Sequence, residues 1–283
     1  MTSHNLQQEI EARLENKDFH LPVINHTAVE LQRLMSSSKC QLSQLAQVIE
    51  KDQSLATKVL NVANSPFFSG LKKIGNVRDA IVRVGMKEIF VLVVTLAQKN
   101  LYQGGNNRYG SYMEKLWQHA LATAMGGRWL CVRMNQRQKA DELFMAGLLH
   151  DIGKLALVKL VQELEEENGQ EGFSPSEALL QEILESMHTT VGGSLLEKQM
   201  LPEFYCMVAR NHHLENNDSS EEMDIIKVAN LACRKLGIGI QHDPEVIITA
   251  TPNADRLGLS DIDVAELEVT MEEMLNEMND RLA

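Results

Sequence analysis

Cysteine is scarce in this chain, and its spacing excludes the common cysteine-based metal sites. The 283 residues include four cysteines. They are Cys40, Cys131, Cys206 and Cys233. Zinc fingers need closely spaced cysteine pairs, and no Cys-x-x-Cys occurs here. We therefore expect reduced, mostly buried thiols, which are typical of a cytosolic protein.

Long apolar runs are also missing. The longest, from Ile89 to Leu96, is interrupted by Thr95 and falls far short of the roughly 20 residues that a membrane-spanning helix needs. The first residues do not show the basic and then apolar pattern of a secretory signal. We expect a cytoplasmic protein that does not insert into a membrane.

The chain has fewer basic than acidic residues. Lysine and arginine number 27 against 39 aspartates and glutamates, so the net charge is -12. The acidic residues gather in residues 163–167, 215–224 and 261–280. Such a surface repels a phosphate backbone on average, so we expect no general nucleic-acid binding.

Apolar residues recur at helical spacing along most of the chain. Hydrophobic residues, counted with alanine, tyrosine and cysteine, make up 44% of the chain. This fraction is enough for one large or two modest cores. Leu45 and Ile49 in one segment, and Leu180, Ile183 and Leu184 in another, repeat at the intervals of one-sided helices. The pattern predicts an all-α fold.

One stretch divides this helical pattern into two parts. Residues 104–110, Gly-Gly-Asn-Asn-Arg-Tyr-Gly, are rich in types that tolerate turns and positive φ. We therefore predict an N-terminal helical subdomain over residues 1–103 and a second helical domain over residues 104–283. The second ends in an acidic amphipathic helix from about Ser260, whose methionine-rich stripe packs on that domain or meets a partner helix.

The chemically most informative stretch runs from Leu148 to Lys154. In it an apolar helix leads into His150 and Asp151 and is predicted to stop at Gly153. Imidazole nitrogen and carboxylate oxygen are ligands of divalent metals, and an aspartate can bridge two ions. The alternative is an ordinary hydrogen bond at a helix end.

Further imidazoles lie on predicted helices elsewhere in the second half. His119, His188 and His212 each fall on an apolar stripe, so they should point inward as metal ligands or as hydrogen-bonded core residues. His213 is rotated away from His212 and would orient it, line a pocket or lie at the surface. Lys154 could contact a phosphoryl oxygen, or be a solvated cation at a helix end.

This order of histidines and aspartate resembles the HD superfamily of metal-dependent phosphohydrolases. Together with four upstream segments it resembles the HDOD family, a bacterial signalling module related to the HD-GYP domains, over about residues 20 to 235. The segments are Leu21-Pro22, Asp52 to Leu55, Val62 to Ser65 and Ala80 to Gly85.

The resemblance implies an N-terminal helical domain followed by an HD-type helical bundle with a divalent metal. Iron, manganese, zinc and magnesium are not distinguished, and whether the metal is retained stays open. The ligand set that the resemblance implies is His119, His150, Asp151, His188 and His212, with His213 adjacent.

The chain departs from the HD pattern at three places. Asn230 stands where HD enzymes usually have a last aspartate ligand, and an amide binds a hard cation more weakly than a carboxylate. Leu214 to Asp218 stand where HD-GYP proteins have Gly-Tyr-Pro, and Lys115 stands where some have a glutamate ligand. We therefore do not expect cyclic-di-GMP hydrolysis or a trinuclear centre.

Two functions follow from the resemblance. The first is a regulatory signal-transduction protein with a partly retained metal site, whose partner is a signalling protein or a small phosphate-containing ligand. The alternative is a metal-dependent phosphohydrolase acting on a nucleotide or phosphodiester, with Asp151 and Lys154 as catalytic residues. The sequence leaves open whether the chain forms an oligomer.

Overall fold

The computed structural model describes residues 3–15, 25–37, 39–68, 72–103, 108–168, 174–215 and 219–282. These residues form helices joined by turns, with no strand among them, which confirms the predicted all-α class. In chain order the helices are α1 (Ser3–Glu15), α2 (His26–Met35), α3 (Leu42–Glu50), α4 (Gln53–Ala63), α5 (Val77–Val84), α6 (Met86–Lys99), α7 (Gly110–Arg133), α8 (Ala140–Leu149), α9 (Ile152–Asn168), α10 (Glu177–Lys198), α11 (Glu203–Asn211), α12 (Glu221–Leu236), α13 (Pro252–Arg256) and α14 (Asp261–Leu282).

Helix α6 is the centre of the N-terminal half. Every residue from Ile89 to Gln98 is buried, and the helix packs against α2, α3, α4 and α5. Gly85, with φ +99°, separates α5 from α6 in a conformation that favours glycine. The apolar run therefore forms a helix inside the protein, and among the described helices none is long and apolar enough to cross a membrane.

Helices α7 and α8 form the core of the second half. Small residues allow their backbones to approach closely, because a Cβ added to Gly147 would lie 2.6 Å from the Cα of Ala124. Helices α9, α10 and α11 follow on one side, while α12 and α14 pack on α7. This packing brings the chain at His119 close to the end of α8.

The two ends of the chain both pack on the second half. Helix α1 contacts α9 and α10 with Leu6 and Ile10 fully buried. Helix α14 packs on α7, with Leu267 and Met271 fully buried. The predicted division after residue 103 falls on residues 104–107, which lie outside the described residues, and stays a prediction.

Candidate metal centre

The histidine-aspartate dyad occupies the junction between α8 and α9. Helix α8 ends at Leu149, α9 begins at Ile152, and both His150 and Asp151 are buried. The prediction that Gly153 ends the helix was wrong, since Gly153 lies in the first turn of α9. Its role is close packing, because an added Cβ would lie 1.9 Å from the carbonyl oxygen of His188 on α10.

Four imidazoles from four parts of the fold surround the Asp151 carboxylate. His119 comes from the middle of α7, His150 from the end of α8, His188 from α10 and His212 from the end of α11. The Nε2 atoms of His119 and His150 lie 3.3 and 3.5 Å from Asp151 Oδ2. Those of His188 and His212 lie 3.4 and 3.3 Å from Oδ1.

The backbone determines which way each ring points. The Nδ1 atoms of His150 and His188 lie 2.7 Å from the carbonyl oxygens of Gly147 and Leu184. The Nδ1 atoms of His119 and His212 lie 3.1 Å from the carbonyl oxygens of Ile238 and Val208. A carbonyl only accepts, so each Nδ1 donates and Nε2 faces the carboxylate. Histidine metal ligands are oriented in this way.

His213 completes the group at its exposed side. Its ring centroid lies 4.1 Å from that of His212 and 5.1 Å from that of His188. Asp151, His188, His212 and His213 each offer one ligand atom, all within 4.8 Å of one another. His119, His150 and Asp151 form a second such group. We call these six residues the carboxylate-histidine cluster.

Charge in the cluster is set by burial and by close contacts. Burial raises the pKa of Asp151, but Lys154 and the neighbouring rings lower it further, so the carboxyl pKa is well below its usual range. Burial lowers the pKa of His188 to about 4, which keeps that ring neutral at pH 7. Burial also lowers the pKa of His119, but contact with Asp151 outweighs it and raises the value to about 10.

Three buried atoms of the cluster have no hydrogen-bond partner among the described residues. They are Asp151 Oδ1, His188 Nε2 and His212 Nε2. Each unsatisfied buried group typically costs about 1–3 kcal/mol. One divalent cation would satisfy all three, and imidazole and carboxylate are suitable donors. The residues present therefore fit a metal.

Lys154 forms an ion pair with the Asp151 carboxylate and is largely shielded from solvent. Its Nζ is 2.6 Å from Asp151 Oδ2, and its side chain is 13% exposed. The interpretation as a solvated helix-end cation is therefore wrong. Its role toward a phosphoryl group stays a prediction.

A cavity of about 490 Å³ opens beside the cluster. His119, Asp151, Lys154, His212 and His213 line one wall. The second wall consists mainly of residues from α12, α13 and the segment between them. The polar side chains of that wall are Lys227, Asn230, Arg234, Gln241, Thr251, Asn253 and Arg256.

Sequence reasoning missed the anchor of this second wall. Asp224 on α12 is 1% exposed and accepts hydrogen bonds from Arg256 Nε and Nη2, both at 2.7 Å, and from Asn253 Nδ2 at 2.6 Å. These contacts tie α13 to α12. The available signal was a group of four basic residues in this part of the chain, but nothing in the sequence places three of them, Lys227, Arg234 and Arg256, beside the cavity at Asp151.

Comparisons with known proteins agree with this architecture. The family model of the HDOD domain matches residues 21–215. A protein of Treponema pallidum (strain Nichols), itself uncharacterised, is 23% identical over 210 residues, which cover 72% of this chain and 40% of that protein. The chain thus spans well under half the length of that relative.

Two solved structures resemble this fold over nearly their whole length. An HDOD domain protein of unknown function from Geobacter sulfurreducens has a TM-score of 0.73 at 21% identity, covering 98% of this chain and 97% of the other. A Shewanella amazonensis protein, provisionally named a metal-dependent phosphohydrolase, has a TM-score of 0.70 at 18% identity, covering 99% of each chain. At these identities the likeness concerns the fold. Because the family model matches more than half of the residues, this chain belongs to the HDOD domain family.

Proposed function

We propose that this protein is a signal-transduction regulator in which a metal in the carboxylate-histidine cluster, together with the adjoining cavity, binds a small phosphate-containing ligand. One observation carries the proposal: Asp151 and His212, whose buried metal donors have no hydrogen-bond partner among the described residues, line a cavity that cationic side chains also line. Imidazole donors favour iron or zinc over magnesium.

The charge of the cavity supports an anionic ligand. Its lining has four cationic side chains, Lys154, Lys227, Arg234 and Arg256, and two carboxylates, Asp151 and Glu215. Arg256 also pairs with Asp224 and Arg234 with Asp243, so these cations and the carboxylates around them balance, in contrast to the net charge of -12 for the whole chain. A volume of about 490 Å³ lies in the range of small-molecule sites. A phosphate group would be attracted to this part of an otherwise repelling surface.

Two features favour binding over rapid turnover. Lys154 already neutralises one oxygen of Asp151. Asn230 lines the cavity with a neutral amide where a carboxylate would hold a metal more strongly. Both features weaken a second cation site, which two-metal phosphoryl chemistry requires.

The packing of α8 offers a route for a signal. Helix α8 leads directly into the dyad, and it also contacts α2 and α6 of the N-terminal half. A change of ligand at the cluster would therefore act on the packing between the two predicted domains. We propose that a signalling protein binds the surface near α2, α6 and α8, because the shape of that surface depends on how these three helices pack.

A metal-dependent phosphohydrolase is the second candidate. When bound, a divalent ion would supply Lewis-acid polarisation of a phosphoryl group. Asp151 would hold that ion and Lys154 would steady the anion, since both line the cavity. The provisional name of the Shewanella protein favours this candidate.

One experiment separates the candidates. The chelator-treated chain is loaded with manganese, iron(II) or zinc, and metal content is measured before inorganic phosphate and a nucleotide and phosphodiester panel are added. We expect stoichiometric metal and a raised Tm with a phosphate compound, but no product. Lys227→Met should weaken that binding. Lys51→Met, at an exposed lysine paired with Glu30, is the matched control and should not change it.

The remaining outcomes are decisive. Metal-dependent product formation that Asp151→Asn abolishes would establish the hydrolase. A chain that takes up none of the metals would overturn both candidates. Phosphate binding that does not depend on the metal would remove the cluster from the proposed ligand site.

A further inference from the structure

The two oxygens of the Asp151 carboxylate have different surroundings. Oδ1 faces His188 and His212, whereas Oδ2 faces His119 and His150. Either pair could form part of a metal site, so the carboxylate could hold one ion on each side. The hydrogen bonds around the two oxygens distinguish these sides.

On the Oδ1 side the donors are unsatisfied. Oδ1, His188 Nε2 and His212 Nε2 are all buried, and in the part of the chain that the structure describes they have no hydrogen-bond partner. Their distances of 3.3 and 3.4 Å lack the alignment of hydrogen bonds. His213 adds a fourth ligand atom within 4.8 Å of the others. Three imidazoles and one carboxylate supply four donors of the types that divalent metals accept.

On the Oδ2 side the donors already have partners. Lys154 Nζ donates to Oδ2 at 2.6 Å, and the Nε2 atoms of His119 and His150 contact each other at 3.2 Å. The ammonium is a fixed positive charge next to the position that a second cation would take. Because like charges repel, an ion on this side must first displace Lys154.

We propose that the chain binds a single metal ion on the Oδ1 side, through Asp151, His188, His212 and His213, while Lys154 takes the place of a second ion on the Oδ2 side. This inference rests on the proposed function for the presence of a metal, and goes beyond it by assigning the ligands. His119 and His150 then support the carboxylate and do not bind the ion.

Cobalt(II) titration of the full chelator-treated chain tests the assignment. Cobalt(II) bound to imidazole and carboxylate has visible absorption that reports coordination without any enzyme assay. We expect one equivalent to bind to the wild type. His188→Gln should weaken binding at least about 100-fold, whereas His119→Gln should change it less than about threefold. His26→Gln, on exposed α2 surface, is the matched control.

Lys154→Met supplies the converse test. The methionine side chain is similar in length and carries no charge, so the Oδ2 side loses its resident cation. We expect a second equivalent of cobalt(II) to bind to this variant. A stoichiometry of one in both proteins would overturn the role of Lys154.

A measurement on the unsubstituted chain avoids variants that fail to fold. Zinc is added to protein labelled with nitrogen-15 in its histidine rings, and the ring nitrogen resonances are followed. The Nε2 signals of His188 and His212 should move by tens of parts per million at the first equivalent. If the His119 and His150 signals move instead, the ligand assignment is overturned but the proposed metal site remains. If neither zinc nor cobalt(II) binds, the proposed metal site itself is refuted.

Discussion

Substitution of Gly153 by alanine should disrupt the carboxylate-histidine cluster, the proposed metal site, more than any change of comparable size nearby. Gly153 packs against the backbone of α10 at the turn that carries His188. An added Cβ would lie 1.9 Å from the His188 carbonyl oxygen and 2.8 Å from the Gly192 nitrogen. Both are backbone atoms, which cannot rotate away as a side chain could.

The size of the effect follows from that distance. Ordinary van der Waals contact begins near 3.4 Å, so α9 and α10 must separate by about 1.5 Å. Overpacking of this kind costs about 3 kcal/mol. His188 moves with its backbone, and a metal site tolerates displacements of only about 0.5 Å. We therefore expect Gly153→Ala to lower both stability and metal affinity.

Thermal unfolding followed by circular dichroism, with metal titration at 20 °C or below, would measure both quantities. For a chain of this size, about 3 kcal/mol corresponds to a drop in Tm of roughly 6 °C. Gly192→Ala is the graded control, because its Cβ would lie 3.2 Å from the nearest atom, the Gly153 nitrogen. Gly75→Ala should have little effect, because no atom of the described residues lies within 4 Å of the added Cβ.

The reasoning would be refuted by a Gly153→Ala protein with the Tm and metal affinity of the wild type. It would also be refuted if Gly192→Ala were the more damaging change. A fall in Tm with unchanged metal affinity would show that His188 does not follow the displaced backbone.

Three further substitutions test a buried ion pair, the packing of α14 on α7 and a residue with positive φ. Asp224→Asn should lower Tm at pH 7. Burial raises the pKa of the Asp224 carboxyl, but the contacts with Arg256 and Asn253 outweigh burial and lower that pKa below its usual value. The wild type therefore loses this stabilisation as pH falls through the lowered pKa, and the Tm values of the two proteins should converge in acid. Met271→Ala should cost about 3 kcal/mol in denaturant unfolding, since it opens a cavity between α14 and α7, and an unchanged midpoint would contradict that packing. Met200→Gly should raise the free energy of unfolding by about 0.5 kcal/mol, because exposed Met200 has φ +55°, a left-handed conformation that glycine adopts without strain. A lower free energy of unfolding would contradict this reasoning.

Apolar periodicity was enough to predict the helices and their buried faces. It indicated that His188 and His212 point into the protein, and both are 3% exposed. Asn76 caps the start of α5, where its side-chain oxygen accepts a hydrogen bond from the backbone N–H of Asp79. This cap and the positive φ of Gly85 also follow from local sequence, since each is set by neighbours along the chain. Whether these histidines bind a metal is a prediction that the titrations above will test.

Contacts between distant parts of the chain could not be predicted in the same way. Gly153 looked like a helix end, but its environment is the backbone of α10, 35 residues or more away in the chain. Lys154 looked solvated or ligand-bound, but it pairs with Asp151 across one helical turn. The pairing of Asp224 with Arg256 needs α13 to fold back onto α12.

The sequence alone determined the all-α class, the family resemblance and the identities of the imidazoles and the carboxylate, because helix periodicity and residue order are properties of the chain itself. Only the tertiary structure decided that four helices present these side chains to one carboxylate, and that its two oxygens differ. That decision depends on backbone approach at glycines, as between Gly153 and α10, and on the contact of His119 with the carbonyl of Ile238, which exist only once the helices have packed.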